Sequence, residues 1–163
     1  MVKNNHGVTL VELMMVVAII GVIALIAPQI MTSATKIFVL NRAKLELQRE
    51  ARAAMYLITR ELRQAESNTI IIDQPVGQPY YSRIQFTMIQ GTNVTIAQNG
   101  SSLLLTEGNT TTELSKNLSY LSFTFPRSDD MTIVSVSMTL QQQIYNGLYK
   151  ALHMASEKIR VMN

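Results

Sequence analysis

A twenty-residue apolar segment near the start of the chain restricts its fold more than any other feature of the sequence. Residues 8–27 carry a single charge, on Glu12, and residues 13–27 carry none. Twenty helical residues span about 30 Å, which matches the hydrocarbon core of a bilayer. A buried core helix normally has a polar stripe, which this segment lacks beyond Glu12. We therefore predict a membrane-spanning helix.

A secretory signal peptide is the other apolar N-terminal segment that has to be considered. Such a peptide begins with positive charge and ends with a cleavage site of small residues. Lys3 supplies the only positive charge ahead of the apolar run, and Ile26-Ala27-Pro28 places a proline where cleavage would be hindered. These features favour a retained helix over a removed signal peptide.

Glu12 is the residue of this segment that points to function. A carboxylate inside an apolar span is costly and usually has a partner in the membrane or in an assembly. If the mature chain begins at Val8, the free amino group of a neighbouring subunit is a suitable partner. Alternatively, Glu12 lies at the membrane interface and its carboxylate reaches the headgroups. The charge pattern alone leaves both interpretations open.

The string Gly7-Val8-Thr9-Leu10-Val11-Glu12-Leu13 resembles the leader of type IV prepilins and pseudopilins. That family has glycine, a hydrophobic residue, Thr or Ser, two hydrophobic residues, glutamate and leucine in this order. Phenylalanine is the common choice where this chain has Val8, and both side chains supply apolar bulk. The resemblance implies that a prepilin peptidase cuts between Gly7 and Val8 and that the new amino group is methylated. It also implies that Glu12 pairs with a neighbour's N-terminus and sets the register of a filament.

A second helical pattern follows Pro28. Apolar residues recur at steps of three, four and seven, at Ile37, Leu40, Leu47, Ala51, Ala54, Met55, Ile58, Leu62 and Ala65. The opposite face is charged and is predicted to be solvated, with Lys36, Arg42, Glu46, Glu50, Arg60, Glu61 and Arg63. We predict one helix from about Thr9 to Glu66, with Gly21 and Pro28 as positions where it kinks or is interrupted. A plain coiled coil is the alternative use of this stripe.

The stretch from Leu47 to Ala65, which ends in Arg-Glu-Leu-Arg-Gln-Ala at residues 60–65, is similar to the J-type minor pseudopilins of type II secretion and the W-type minor pilins. This resemblance implies a minor subunit that serves secretion, pilus initiation or DNA uptake.

Beyond Ser67 the sequence changes to short strand-like runs separated by turn residues. Predicted strands lie at 69–72, 81–89, 93–97, 102–106, 118–125, 132–140 and 155–162. The clearest alternation places Val134, Val136, Met138 and Leu140 on one face. Asn99-Gly100 and Gly108-Asn109 predict tight turns, and residues 145–154 could be a loop or a short helix. The predicted fold is α+β, with one long helix packed on a single antiparallel sheet.

The predicted organisation is a leader peptide (1–7), a transmembrane and assembly helix (8–28), an amphipathic helix (29–66) and an exported β-sheet domain (67–163). The expected partners are other pilin or pseudopilin subunits, the prepilin peptidase and an inner-membrane assembly platform.

Family resemblance implies an inner-membrane location with a cytoplasmic N-terminus. Positive-inside counting opposes this, since Lys3 precedes the span while Lys36, Arg42 and Lys44 follow it. The alternative is a membrane-anchored exported binding or sensor domain that forms no filament.

Residues suited to catalysis are sparse. The chain has no cysteine, which excludes thiol catalysis and thiolate metal sites. His153 has no ligand partners at metal spacing, and Asp129-Asp130 is predicted to be a solvated turn rather than a calcium site. The pI near 9.3 comes without a basic cluster that contains aromatic residues, so we expect no direct nucleic-acid binding. We expect no enzyme activity, no cofactor and no metal.

Overall fold

The structure is a computed structural model that describes residues 9–78, 80–145 and 147–162. It divides into two compact units, residues 1–39 and 40–163, which are described separately below. Helix α1 (Leu10–Arg63) contributes residues to both units, and a 3-10 helix (Ser67–Thr69) follows it. The strands are β1 (Ile71–Asp73), β2 (Arg83–Thr87), β3 (Asn93–Asn99), β4 (Ser102–Glu107), β5 (Thr110–Ser115), β6 (Leu118–Thr124), β7 (Ile133–Ile144) and β8 (Tyr149–Arg160).

In the second unit, the apolar stripe of α1 forms one side of the core. The predicted stripe residues from Leu47 to Ala65 are buried, and Ala43 joins them. Ile37 was also predicted on the stripe but is exposed, because it lies in the first unit, where no residue from Thr9 to Phe38 is buried. The helix ends at Arg63, three residues before the predicted end, and its last turn closes with bonds from Gln64 and Ala65.

Glu61 corrects the prediction of a solvated charged face. Its side chain is only 3% exposed, and the guanidinium of Arg60 pairs with its carboxylate. The position lies three residues after Ile58 and four before Ala65, so it falls on the margin of the apolar stripe. The sequence pattern placed every charged residue of this face in solvent. It did not predict a buried carboxylate whose charge is neutralised by an adjacent arginine.

The α+β class is confirmed, but the prediction of a single sheet is wrong. Strands β1 to β5 form one antiparallel sheet in sequence order, and β6 to β8 form a second. Strand β6 donates backbone bonds to the carbonyls of Tyr81 (from Phe123, 2.9 Å) and Ser101 (from Leu118, 2.8 Å). Both carbonyls lie at the end of the first sheet, just before β2 and in the β3–β4 turn. Because β6 meets an end rather than an edge, the ladder does not continue.

The two sheets and the helix share one hydrophobic core. Its largest fully buried side chains include Phe123 and Leu121 from β6, Met138 from β7, Ile84 from β2 and Ile96 from β3. The predicted alternation in β7 is confirmed, since Val134, Val136, Met138 and Leu140 are all buried.

Two elements were missing from the predicted strands. Strand β5 reads Thr-Thr-Thr-Glu-Leu-Ser and is exposed on both faces over its first half, so it has no apolar alternation to detect. The undecided stretch 145–154 forms the β7–β8 turn and the first half of β8, with positive φ at Tyr145 and Gly147. The predicted turns at Asn99-Gly100 and Gly108-Asn109 join β3 to β4 and β4 to β5, and both glycines have positive φ.

Strand β1 is three residues long, and an ion pair supports its register. Asp73 and Arg83 are cross-strand partners, and the Arg83 Nε donates to Asp73 Oδ1 at 2.7 Å. The hydrogen bond from Arg83 lowers the pKa of the Asp73 carboxyl. Each side chain is about one-third exposed, so solvent screens much of the attraction.

We predict that Asp73→Asn destabilises the protein near pH 7 and has little effect in acid. A lowered folded-state pKa stabilises the fold above the unfolded-state pKa of about 3.9, and this stabilisation is lost as pH falls through the folded-state value. Urea unfolding of both proteins at several pH values measures the difference. Glu46→Gln is the matched control, because Glu46 pairs with Arg42 on the exposed face of one helix and joins no strands. An Asp73→Asn effect that persists unchanged in acid would contradict the assignment.

Candidate processing and assembly segment

The start of α1 is closed by a hydrogen-bond pattern known as a capping box. The Glu12 carboxylate oxygen Oε2 accepts from the Thr9 backbone N–H at 2.9 Å and from the Thr9 hydroxyl at 3.0 Å. In return, the Glu12 backbone N–H donates to Thr9 Oγ1 at 3.3 Å. This reciprocal pair satisfies N–H groups that a helix start otherwise leaves unpaired. Its sequence signal is Thr-x-x-Glu before an apolar run, whereas the prediction for Glu12 rested on its charge alone.

Glu12 therefore has a local role, as a helix cap, that was not predicted from the sequence. The carboxylate lies in the first turn of α1, where the partial positive charge of the helix terminus stabilises an anion. Both hydrogen bonds from Thr9 fall on Oε2, and a carboxylate has about four acceptor positions on its two oxygens. Capping thus leaves the carboxylate able to accept hydrogen bonds from a further cation.

The side chains that follow Glu12 form an apolar surface on every side of the helix. Every residue from Thr9 to Phe38 is exposed, and the large apolar ones between Leu10 and Leu25 are 53–76% exposed. Within the part of the chain that the structure describes, α1 is the one helix that is long and apolar enough to cross a membrane. An apolar surface of this extent requires cover, either from lipid or from other helices.

Gly21 and Pro28 were predicted to kink or interrupt this helix. Helix α1 continues through both positions, so neither interrupts it. A Cβ at Gly21 would meet no atom within 4 Å, so no close packing in the chain requires glycine there. Pro28 lacks the N–H that would bond the carbonyl of Ala24. A kink at either residue stays a prediction.

The proposed cleavage site, Gly7 and Val8, lies outside the described residues. The same holds for Lys3, the positive charge ahead of the apolar run. The assignments of cleavage and methylation therefore stay predictions from the sequence.

The Asp129-Asp130 turn and His153 are the remaining residues that the sequence singled out for possible metal binding. Asp129 accepts two bonds from the Arg127 guanidinium, at 3.0 and 2.7 Å, and these lower its pKa. Asp130 accepts from the Thr132 backbone N–H at 3.0 Å. His153 is half-buried on β8, opposite Leu140. Over residues 9–78, 80–145 and 147–162, no three acidic or histidine residues are grouped as a metal ion would need.

Comparison with known proteins identifies the N-terminal segment. Residues 2–28 match the family model described as the prokaryotic N-terminal methylation motif. No curated protein matches the chain. The matched range contains the predicted cleavage site, the capping box and the apolar span up to Pro28.

We predict that Thr9→Ala loosens the first turn of α1. Loss of an N-terminal cap costs about 0.5–2 kcal/mol, so the first amides should exchange with solvent about 2- to 30-fold faster. Hydrogen exchange of the full chain in detergent micelles measures this. Thr32→Ala is the matched control, because the Thr32 hydroxyl bonds the Gln29 carbonyl inside the helix. Equal exchange rates in Thr9→Ala and the parent protein would argue against the cap.

An apolar helix that is exposed on every side and directly follows this motif is expected of a membrane-anchored chain. The motif match itself shows that the chain carries a type IV pilin-type leader at its N-terminus.

Proposed function

We propose that the chain is a minor pilin or pseudopilin, a structural subunit of a type II secretion pseudopilus or a type IV pilus. It is made as a prepilin, cut by the prepilin peptidase after Gly7 and N-methylated at Val8. The observation that carries this proposal is the type IV pilin-type leader directly before a helix whose apolar side chains are exposed on every side.

The apolar helix has two roles in this proposal, as a membrane anchor and as a packing surface in the filament. Before assembly, lipid covers the exposed side chains between Leu10 and Leu25, and in the filament the same side chains pack against the helices of neighbouring subunits. Packing and hydrogen bonds, rather than a further hydrophobic gain, drive helix association out of lipid. The choice of neighbouring subunit and its register then come from the charge of Glu12 and from the unit 40–163.

Glu12 supplies the register in this proposal. Its carboxylate is fixed by Thr9 and keeps acceptor capacity for the amino group of Val8 in a neighbouring subunit. An unpaired carboxylate in an apolar surrounding is costly, so subunits that align Glu12 with an amine are favoured over subunits shifted along the helix.

The finer assignment is a J-type or W-type minor subunit. It is supported by the resemblance of residues 60–65, in which Leu62 and Ala65 are core residues and Glu61 is a buried partner of Arg60. The partners are other pilin or pseudopilin subunits and an inner-membrane assembly platform. The N-terminus is cytoplasmic and the unit 40–163 is exported, which requires that a folded domain behind the span outweigh the positive charges at Lys36, Arg42 and Lys44.

The decisive experiment is the mass of the protein purified from membranes of cells that contain a prepilin peptidase. We predict a mature chain that begins at Val8 and is one methyl group heavier than the unmodified fragment. Gly7→Leu should retain the leader, whereas Gly21→Leu, the matched control inside the span, should be processed normally. A chain that keeps Met1 or begins after Ala27 would refute the proposal and favour an anchored domain that forms no filament.

A second prediction separates the two roles of Glu12. Glu12→Ala removes both the cap and the charge, whereas Glu12→Gln keeps a side chain that can cap but carries no charge. We expect both variants to insert into the membrane and both to be strongly depleted from the sheared or cross-linked filament fraction. Immunoblots of membrane and filament fractions measure the two pools.

The Glu12→Gln result decides between the roles. If Glu12→Gln assembled at the parental level while Glu12→Ala did not, capping rather than charge pairing would be the function of Glu12. Normal assembly of both variants would exclude a register role altogether.

A further inference from the structure

The β7–β8 hairpin ends in an exposed apolar tip, formed by Tyr145 and residues 147–150. Tyr145, Leu148 and Tyr149 are 41%, 80% and 45% exposed. The two tyrosine rings contact each other edge to face, with their centroids 6.0 Å apart. Lys150, the next residue in the chain, is also exposed. Exposed tyrosine beside leucine and lysine is typical of segments that lie at a membrane–water interface.

The position of this tip in the unit 40–163 follows from two contacts of α1. The first lies near the end of the helix, where the Thr59 hydroxyl donates to the Glu157 carboxylate of β8 at 3.2 Å. The second lies two to three turns earlier, where the Asn117 side-chain amide donates to the Glu50 carboxylate at 2.9 Å. The two contacts together fix how the second sheet lies along the helix.

Asn117 connects the second contact to β8. Its carbonyl accepts from the Gln141 N–H at 2.7 Å, and Gln141 is the cross-strand partner of Leu152. Leu152 therefore lies level with Glu50, whereas Glu157 lies level with the later contact. Strand β8 thus runs in the same direction as α1, and its start lies towards the start of the helical segment in this unit.

The tip therefore lies at the end of the unit where α1 enters it. Tyr149 precedes Leu152 by a distance of about 10 Å along the strand, which equals about six to seven helical residues. Counting back from Glu50 by that length gives positions 43–44 of α1. The unit itself begins at Leu40.

The apolar segment of α1 is close to this end in the chain. Residues 13–35 carry no charge, and Lys36 follows them. The unit begins four residues after Lys36, which is about 6 Å along a helix. The headgroup layer of a bilayer is about 5–7 Å thick on each side. The chain length thus permits contact between the tip and the headgroups.

The charged side chains at this end of the unit favour an anionic surface. The basic ones are Arg42, Lys44, Arg49, Lys116 and Lys150, and the acidic ones are Glu46, Glu50 and Glu113. Residues 131–156, which include most of the hairpin, contain no Asp or Glu. Anionic lipid attracts such an excess of basic side chains, whereas a second copy of the chain would present the same excess and be repelled.

We infer that the tip of the β7–β8 hairpin docks on an anionic lipid surface, that of the membrane in which α1 is anchored. Leu148 enters the boundary between headgroups and acyl chains, the tyrosine pair lies among the headgroups, and Lys150 bonds lipid phosphates. The contact holds an unassembled subunit against the membrane and is released on assembly. This inference rests on the membrane anchor of the proposed function but not on leader processing.

The absence of cysteine from the chain allows a fluorescent label to be placed at one chosen position. The full chain with Leu148→Cys, labelled with the dye NBD, is reconstituted into vesicles of phosphatidylcholine mixed with phosphatidylglycerol. We expect doxyl-labelled lipid to quench the label and iodide in the water to quench it poorly. NBD emission should also shift to shorter wavelength, because the dye leaves water.

Thr110→Cys is the matched control, an exposed site at the far end of the unit. The N–H of Gly108, in the turn before Thr110, donates to the Asn93 carbonyl. Asn93 pairs with Thr87, whose carbonyl accepts from Glu66 just beyond α1. A label at 110 should therefore be quenched by iodide and not by doxyl-labelled lipid.

A pair of charge reversals tests the part played by Lys150. Lys150→Glu acts at the tip, whereas Lys158→Glu makes the same change at an exposed position near the other end of β8. We expect Lys150→Glu to lower the ratio of docked to free tip about tenfold or more, as measured by the fraction of label that doxyl-labelled lipid quenches. Lys158→Glu should have little effect, since Lys158 lies about 26 Å along the strand, beyond the Debye length. Circular dichroism checks that both variants are folded.

A label at Ile19→Cys, inside the apolar segment, separates failure of the anchor from failure of docking. If iodide quenches that label, α1 does not enter the bilayer, and both the proposed anchor and this inference are wrong. If the label at 19 is shielded while those at 148 and 110 are quenched alike by iodide, the anchor stands and docking is refuted.

Three further results would overturn the docking of the tip. Equal effects of Lys150→Glu and Lys158→Glu would exclude a role for Lys150. Equal shielding of the label at 148 in vesicles of phosphatidylcholine alone would exclude recognition of anionic lipid. Loss of the shielding when the protein is diluted in lipid would show that a second copy of this chain, rather than the membrane, covers the tip.

Discussion

The apolar stripe of α1 from Leu47 to Ala65 is the contact on which the second unit depends. The two sheets meet where β6 donates to the carbonyls of Tyr81 and Ser101, so backbone pairing contributes little to holding them together. The stripe packs in one core with side chains of both sheets, such as Ile96 and Phe123. Burial of a large apolar side chain contributes about 1.5–3 kcal/mol, so this shared core, rather than the ladders, joins the sheets.

Periodicity predicted the parts of the fold where one face is apolar and the other is polar. The stripe of α1 and the alternation from Val134 to Leu140 are of this kind, and both were confirmed. Strand β5 was missed because Thr110 to Glu113 are exposed on both faces, so pairing with β4 alone makes it a strand. Glu61 was misplaced because a neutralising partner next to it in sequence changes where a carboxylate can lie. The separation into two sheets depends on where β6 meets the first sheet, and no local pattern contains that information.

The position of the candidate site could be predicted from the sequence, but its hydrogen bonds were not. The order of glycine, apolar residues, glutamate and span identified the leader, and the matching family model covers the same residues. The hydrogen bonds of Glu12 were not predicted, although the Thr-x-x-Glu spacing that produces them is present in the sequence.

The hydrogen bonds between Thr9 and Glu12 also affect how a partner can be recognised. A free glutamate side chain samples several rotamers, and selecting one of them costs about 1–2 kcal/mol of conformational entropy. The Thr9 backbone N–H and hydroxyl both donate to Oε2, so they hold the Glu12 side chain in one rotamer. A cation that approaches the start of α1 therefore meets a preorganised anion, and less of its binding energy is spent on ordering the site. Under the proposed function, the first turn of the helix is thus a preformed receptor for the amino group of a neighbouring subunit.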